Sequence, residues 1–551
     1  MSDIRSILED LCWHDERNKI YDSFRCKKVT DTDAKAIFNL FLHNCNPQKL
    51  RLCSLEEIRA FWVDFENGRN WEKLQELSET SEKGIEFSIQ GAFCEPVCLL
   101  IERNRHIQKL KIYGRALRWS TTPQKEKFWE ALKRSSLISL DLELSNATND
   151  DAKGLAEALK ENTSLTKIDL IGNRIGDTGA RALAEALKEN TSLTEIDLYK
   201  NSIGDDGARA LAEALKKNTS LTKIDLSGNR IGDTGARALA EALKVNTSLT
   251  KIDLIGNRIG DTGARALAEA LKVNTSLTEI DLYKNSIGDD GARAFAEALK
   301  KNTSLTKIYL GGNSIGYAGI TALAEGLKEN TSLTKIDLRS NRIGDDGAKA
   351  LAEALKVNTS LRYLNLFSNE IGDDGAKALA EALKVNRLLL GLNLGFNDIS
   401  ASVIAELINK SSLISLELDY VIKNADGAKA LAEALKENTS LRCLFMSYGF
   451  IGDDGAKAFA EALKVNTSLR YLSLYASHIG DDGAKALAEA LKVNKFLLYL
   501  YLCRNGIGDD GESALCDAMK YSSKNFSLER IFTTDKDHKD LETITEMVMK
   551  L

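Results

Sequence analysis

Catalysis needs reactive side chains in a few defined spacings, and this sequence offers few of them. Of its five histidines, at positions 14, 43, 106, 478 and 538, none sits in the H-E-x-x-H pattern that sets two imidazoles on one helix face to hold zinc. His43 and Cys45 are close enough in sequence to form a thiolate–imidazole nucleophile, but no third residue to orient the base is identifiable. Cys94 and Cys98 enclose Glu95-Pro96-Val97, too few ligands for a metal. No G-x-x-x-x-G-K-[ST] phosphate cradle occurs; Gly-Asp-Asp-Gly-Ala-Lys at 344–349 has the wrong spacing. The expectation is a chain that is not an enzyme and needs no cofactor or metal. The aromatic residues offer a different chemistry. Tyr363, Phe367, Phe445, Tyr471, Tyr475, Tyr499 and Tyr501, with Arg442 and Arg470 among them, have the composition of protein-binding hot spots.

A repeat holds these residues in place. The run L-T-K-I-D-L-I-G-N-R-I-G-D-T-G-A-R-A-L-A-E-A-L-K-E-N-T-S begins at Leu165 and returns every 28 residues, at Leu193, Leu221, Leu249, Leu277, Leu305, Leu333 and Leu361. Its opening predicts a short strand, in which Ile168 and Leu170 alternate with Lys167 and Asp169. After the turn at 176–179 the period becomes helical, with Ala180, Leu183, Ala184 and Leu187 on one face. Asp177 is expected at the helix N-cap and Asn190 at its stop. Leu165–Asn218 is repeated almost unchanged at Leu249–Asn302. The repeat at Leu389 has 24 residues, lacking the four that match Gly-Asp-Thr-Gly, and the next three hold Val421, Gly449 and Ser477 where Asn is expected.

The pattern L-x-x-L-x-L-x-x-N-x-I resembles the leucine-rich repeat. Its 28-residue length with a full A-L-A-E-A-L-K helix is similar to the ribonuclease-inhibitor subtype, which NOD-like receptors use at their C-termini. Their nucleotide-binding part has no counterpart here. Fourteen such repeats from Leu137 span about 70% of the chain. The resemblance implies an α/β fold, a curved solenoid with parallel strands inside and helices outside. Spacing argues for the same shape, because strands sit about 4.8 Å apart and helix axes about 8–10 Å. The expected organisation is a small helical unit over 1–80, degenerate repeats capping the array over 81–136, the array over 137–525 and a C-terminal cap over 526–551.

A net charge of −6 gives no sign of a nucleic-acid partner. No run of 18 apolar residues and no leader pattern is present, so membrane insertion and secretion are not expected. Nine cysteines without disulfide spacing suit a cytoplasmic setting. The recurrent Asn-Thr-Ser triplets are read as turn residues, although each fits a glycosylation acceptor. Along the array, Asp169, Asp197, Asp225, Asp253 and Asp281 should form a column on the concave face, neutralised by the lysines beside them. After Leu361 the same face turns aromatic, with Phe396, Tyr420 and Tyr448 one position further, on the rim. The leading expectation is a non-enzymatic scaffold that grips a protein partner on this concave face. Two alternatives are a GTPase-activating role of the Ran-regulator type, through an arginine such as Arg174, Arg230, Arg258 or Arg342, and an effector activity in residues 1–80 with the repeats as targeting module.

Overall fold

The computed structural model describes residues 121–525 continuously, residues 98 and 101–102, and the strands Lys49–Leu52, Ile85–Gln90, Ile107–Tyr113 and Arg530–Phe532. It divides into two compact units, Met1–Arg230 and Ile231–Leu551. Most of the expected helical unit over 1–80 and of the expected C-terminal cap over 526–551 lies outside the described residues. Within 1–80, where the sequence predicts a helical unit, the described residues form a strand, Lys49–Leu52, which pairs in parallel with Ile85–Gln90.

In the first unit that parallel pairing continues through Ile107–Tyr113, Ser139–Asp141, Lys167–Asp169, Glu195–Asp197 and Lys223–Asp225. Each later strand is three residues long and is followed by a helix such as Asp177–Leu187. Leu165, Ile168, Leu170 and Ile175 are buried, and so are Ala180, Leu183, Ala184 and Leu187 from the helix above them. Alanine at half of the inward helical positions lets the helix approach the strand closely without losing helix propensity.

Polar groups at the repeat ends are satisfied by the neighbouring repeat. Gly176, in extended conformation, is the N-cap residue, and Asp177 is the first helical residue. The Asp177 carboxylate caps the next helix instead: its Oδ1 accepts the amides of Gly204 at 2.7 Å and Gly207 at 2.9 Å. Asn190 likewise reaches backwards, its Nδ2 donating to the Leu159 carbonyl at 2.8 Å, while its Oδ1 accepts from Leu193 at 2.8 Å. Asn173 donates to the carbonyls of Leu142 and Leu170 and accepts from Ala147. Asn162 and Asn190 are buried with their amides engaged, which accounts for the Asn-Thr-Ser triplets without any glycan.

The second unit repeats this scheme. Its strands run in parallel from Lys251–Asp253 to Arg530–Phe532, and their central residues line up in register from Ile252 to Ile531. Since side chains alternate along a strand, the residues flanking each central Leu or Ile share the opposite face. The short repeat keeps the scheme: Ser400, the N-cap of helix Ala401–Lys410, donates its amide and hydroxyl to Asp373 at 2.6 and 2.8 Å. Among the described residues, no helix is long and apolar enough to cross a membrane.

Candidate functional site

The predicted aromatic residues do share the strand face of the second unit, but they are not all open to solvent. Tyr471 pairs in register with Cys443 and Tyr499, and Ser473 pairs with Phe445 and Tyr501. Phe445, Tyr471, Tyr475 and Tyr501 are buried, in one cluster with Cys443 and Cys503. The expectation that these rings are free surface anchors is corrected here. Rings carried on strands about 4.8 Å apart must lie over one another, and small neighbours such as Cys443 and Ser473 leave them room. Ring centroids of Phe445 and Tyr471 are 4.8 Å apart, and those of Tyr475 and Tyr501 5.8 Å. Burial pushes the Cys443 thiol up to about 12, so it stays protonated. Tyr363, Phe367 and Tyr499 are half-buried. Arg470 is tied to the backbone carbonyls of Thr467 and Ser468 and lies over the Phe496 ring.

The open aromatic surface is the rim. Phe396, Tyr420 and Tyr448 are 55%, 43% and 38% exposed. They join Phe367 and Tyr475 in one ladder, with successive centroids 5.8, 5.3, 4.5 and 5.2 Å apart. All three have left-handed backbone, φ between 54° and 62°. In other repeats this position holds Gly172, Gly228, Gly256 and Gly312, or Lys284, Ser340 and Ser368. An aromatic side chain there works against a backbone preference of roughly 1–2 kcal/mol, three times in succession. Three aromatic residues in succession at this aligned position are the sequence signal that marks them.

Acidic groups lie beside the rings. Glu417 accepts the Tyr363 hydroxyl at 2.8 Å through Oε1 and the Asn393 amide at 2.5 Å through Oε2. Tyr363 reaches it across Gly391, where a Cβ would lie 2.6 Å from the Tyr363 ring. Burial pushes the Glu417 carboxyl up to about 7 and also raises Asp419, which accepts the Ser447 amide at 2.7 Å. The aspartate column is present, and the Oδ1 atoms of Asp169, Asp197, Asp225 and Asp281 each accept a backbone amide two residues on, as Asp169 from Ile171. The lysines beside it pair chiefly with Glu195 and Glu279 in their own column: Lys223 with Glu195 at 2.7 Å, Lys251 with Glu279 at 2.8 Å. Arg174, Arg230, Arg258 and Arg342 are all exposed. Among the described residues no group of three or more His, Cys, Asp or Glu could hold a metal ion.

Two known families match stretches of this chain. A family described as the TMOD/LMOD leucine-rich domain matches residues 200–310. One described as Leucine Rich repeat matches 161–184, 301–324, 329–352, 357–380, 437–460, 465–488 and 493–516. No curated protein matches the chain. Among solved structures, one titled leiomodin-1 actin-binding site 2 is similar, at 28% identity over 24% of this chain and 78% of that one, with TM-score 0.22. An internalin (inlF) from Listeria monocytogenes is similar at 20% identity over 60% of this chain and 80% of that one, with TM-score 0.37. The strand-turn-helix units with their ladder asparagines, matched by these two family descriptions, are leucine-rich repeats, and the chain is a leucine-rich repeat solenoid.

Proposed function

We propose that this protein is a non-catalytic scaffold that holds a protein partner on the strand face and rim of the repeats between Tyr363 and Tyr501. The supporting observation is the ladder through Phe396, Tyr420 and Tyr448, three exposed rings in successive repeats at a left-handed position where other repeats carry glycine, lysine, serine, leucine, alanine or arginine. Exposed aromatics with apolar support below are what hot spots are made of. In this reading the buried rings of Phe445, Tyr471, Tyr475 and Tyr501 act as the support, while Tyr363, Phe367, Tyr499 and the rim rings make the contact. The 28-residue period and full helix support the ribonuclease-inhibitor subtype of repeat, and the spread of thiols supports a cytoplasmic setting. Hydroxyl-radical footprinting tests the surface, using a partner captured on the immobilised full chain and then purified. Oxidation of Phe396, Tyr420 and Tyr448 should fall several-fold in the complex, with Tyr199 and Tyr317 unchanged. Equal oxidation of the rim rings with and without partner would place the contact elsewhere.

A further inference from the structure

The strand face beneath the rim holds carboxylates that no cation among the described residues pairs with, and this bears on what the partner must present; the inference rests on the binding face proposed above. Glu417 and Asp419 lie two residues apart on one strand face, both half-buried. Neither forms an ion pair among the described residues, whereas Glu279 has both Lys251 and Lys307. The lysine whose charge reaches Glu417 is Lys335, which is held over the rings of Tyr309 and Tyr363, 5.2 and 5.0 Å from their centroids. Glu417 is met only by neutral donors, the Tyr363 hydroxyl and the Asn393 amide, one on each oxygen. A carboxylate has about four acceptor positions, so half of them remain open.

A second observation points to a missing ligand. Ser415, two residues before Glu417 on the same face, is 1% exposed and its hydroxyl has no hydrogen-bond partner. Buried hydroxyls are nearly always paired, and an orphan on the strand of two carboxylates that lack an ion pair calls for a group that donates several hydrogen bonds and carries positive charge. Tyr420, 43% exposed, follows Asp419 on the rim. A planar cation stacks on such rings. Arginine fits this set better than lysine, since its five N–H groups are spread in one plane.

We propose that Glu417 and Asp419 receive an arginine side chain of the protein partner, with the hydroxyl of Ser415 as a further acceptor and the exposed ring of Tyr420 alongside. The first test titrates the full chain with a fluorescein-labelled hexa-arginine peptide, read by anisotropy. The variant Glu417→Gln/Asp419→Asn keeps acceptors for Tyr363 and Ser447 and should bind at least tenfold more weakly. The control Asp398→Asn/Asp426→Asn removes two carboxylates that are 83% and 90% exposed, and should change affinity less than twofold. Equal affinities for the Glu417/Asp419 variant and the wild type would overturn the proposal, as would an equal loss in the control. The purified partner supplies the second test. If the Glu417/Asp419 variant keeps the partner while serine at Phe396, Tyr420 and Tyr448 abolishes binding, the arginine site is wrong and the binding face stands. Loss of the partner by both variants is the expected result.

Discussion

Asp281 is a carboxylate placed where water is scarce. Burial, with Asp253 and Asp337 nearby adding repulsion, pushes its carboxyl up to about 7. The folded chain therefore holds this proton more tightly than the unfolded chain, whose aspartate titrates near 4. Stability from this site is full below about pH 4 and is lost as pH rises through 7. Asn365 and Asn393 occupy the same position two and three strands beyond Tyr309, and Asn365 keeps the bond to the amide two residues on, at 3.0 Å. Asp281→Asn should therefore fold, gain about 1 kcal/mol at pH 8 after allowance for solvent screening, and flatten the dependence of the urea midpoint between pH 5 and 8. An unchanged pH slope would contradict the burial argument. Tyr471→Ala should be costly, about 3–5 kcal/mol, because it empties part of the aromatic cluster; a urea midpoint equal to wild type would restore the picture of a free surface ring. The alternation of the strand shows that Tyr471 points away from the Leu core, and that much is legible in the sequence. What alternation cannot convey is ring volume: whether a side chain leaving one core finds a second layer depends on how large its neighbours on adjacent strands are.

The elements are joined end to end by side chains that the sequence assigns to the wrong partner. A helix opening on Gly-Asp predicts that Asp caps its own helix. In identical repeats the same motif also lies one repeat away, and the structure uses that one. Asp233 accepts the amides of Gly260 and Gly263 of the following helix. After the short repeat, helix Ala425–Glu437 is capped by its own Asn424, whose Oδ1 accepts the Gly427 amide at 2.8 Å. Where Asp is replaced by Tyr317 and by Ala425, the following helices begin early, at Gly344 and Gly452, with Ile343 and Ile451 as right-handed N-cap residues and both glycines at φ 61°. Left-handed backbone of this sort is where glycine is needed. Removing a side-chain cap costs about 0.5–2 kcal/mol. Asp233→Ala should accordingly speed hydrogen exchange at Gly260 and Gly263 by about threefold or more, leaving Gly204 and Gly207 unaffected. Tyr317→Asp should supply a cap to the helix that starts at Gly344 and slow its first-turn exchange. Unaltered exchange in both variants would mean that the cross-repeat bonds contribute nothing.

At the scale of the whole chain, a repeat array is held together by nearest-neighbour terms, so the weakest junction decides where it opens. Most repeats carry a ladder asparagine bonded to two successive strands, such as Asn397 with Leu366 and Leu394. Val421, in the next repeat, is buried and has no side-chain hydrogen bond to offer, and Gly449 has no side chain. Ser477 restores part of the network through the Met446 and Tyr475 carbonyls. Exchange across residues 395–425 should therefore be faster than across 249–330, and uniform protection would contradict a seam at the short repeat. The repeats themselves were fully legible, because a fixed period with alternating strand and helix spacing dictates the fold. Residues 1–80 were not, since no period links them to neighbours; their described strand, Lys49–Leu52, had no signal beyond its own four residues.

The aromatic turn after Leu361 was legible as a binding composition, but its open part lies on the rim, at a position defined by backbone sign more than by residue type. Binding energy in such a patch is concentrated in a few rings, and losing them commonly costs about 2 kcal/mol or more each. Serine already occupies the same left-handed position at Ser340 and Ser368, so Phe396→Ser/Tyr420→Ser/Tyr448→Ser is compatible with the fold. Its affinity for the purified partner is the most direct measurement of the proposed function. The triple variant should retain the wild-type urea midpoint and lose at least about thirtyfold in affinity, while the control Lys200→Ser/Lys284→Ser, at the same position in two other repeats, binds like wild type. Equal affinities for the two variants would show that the rim ladder is not where the partner sits.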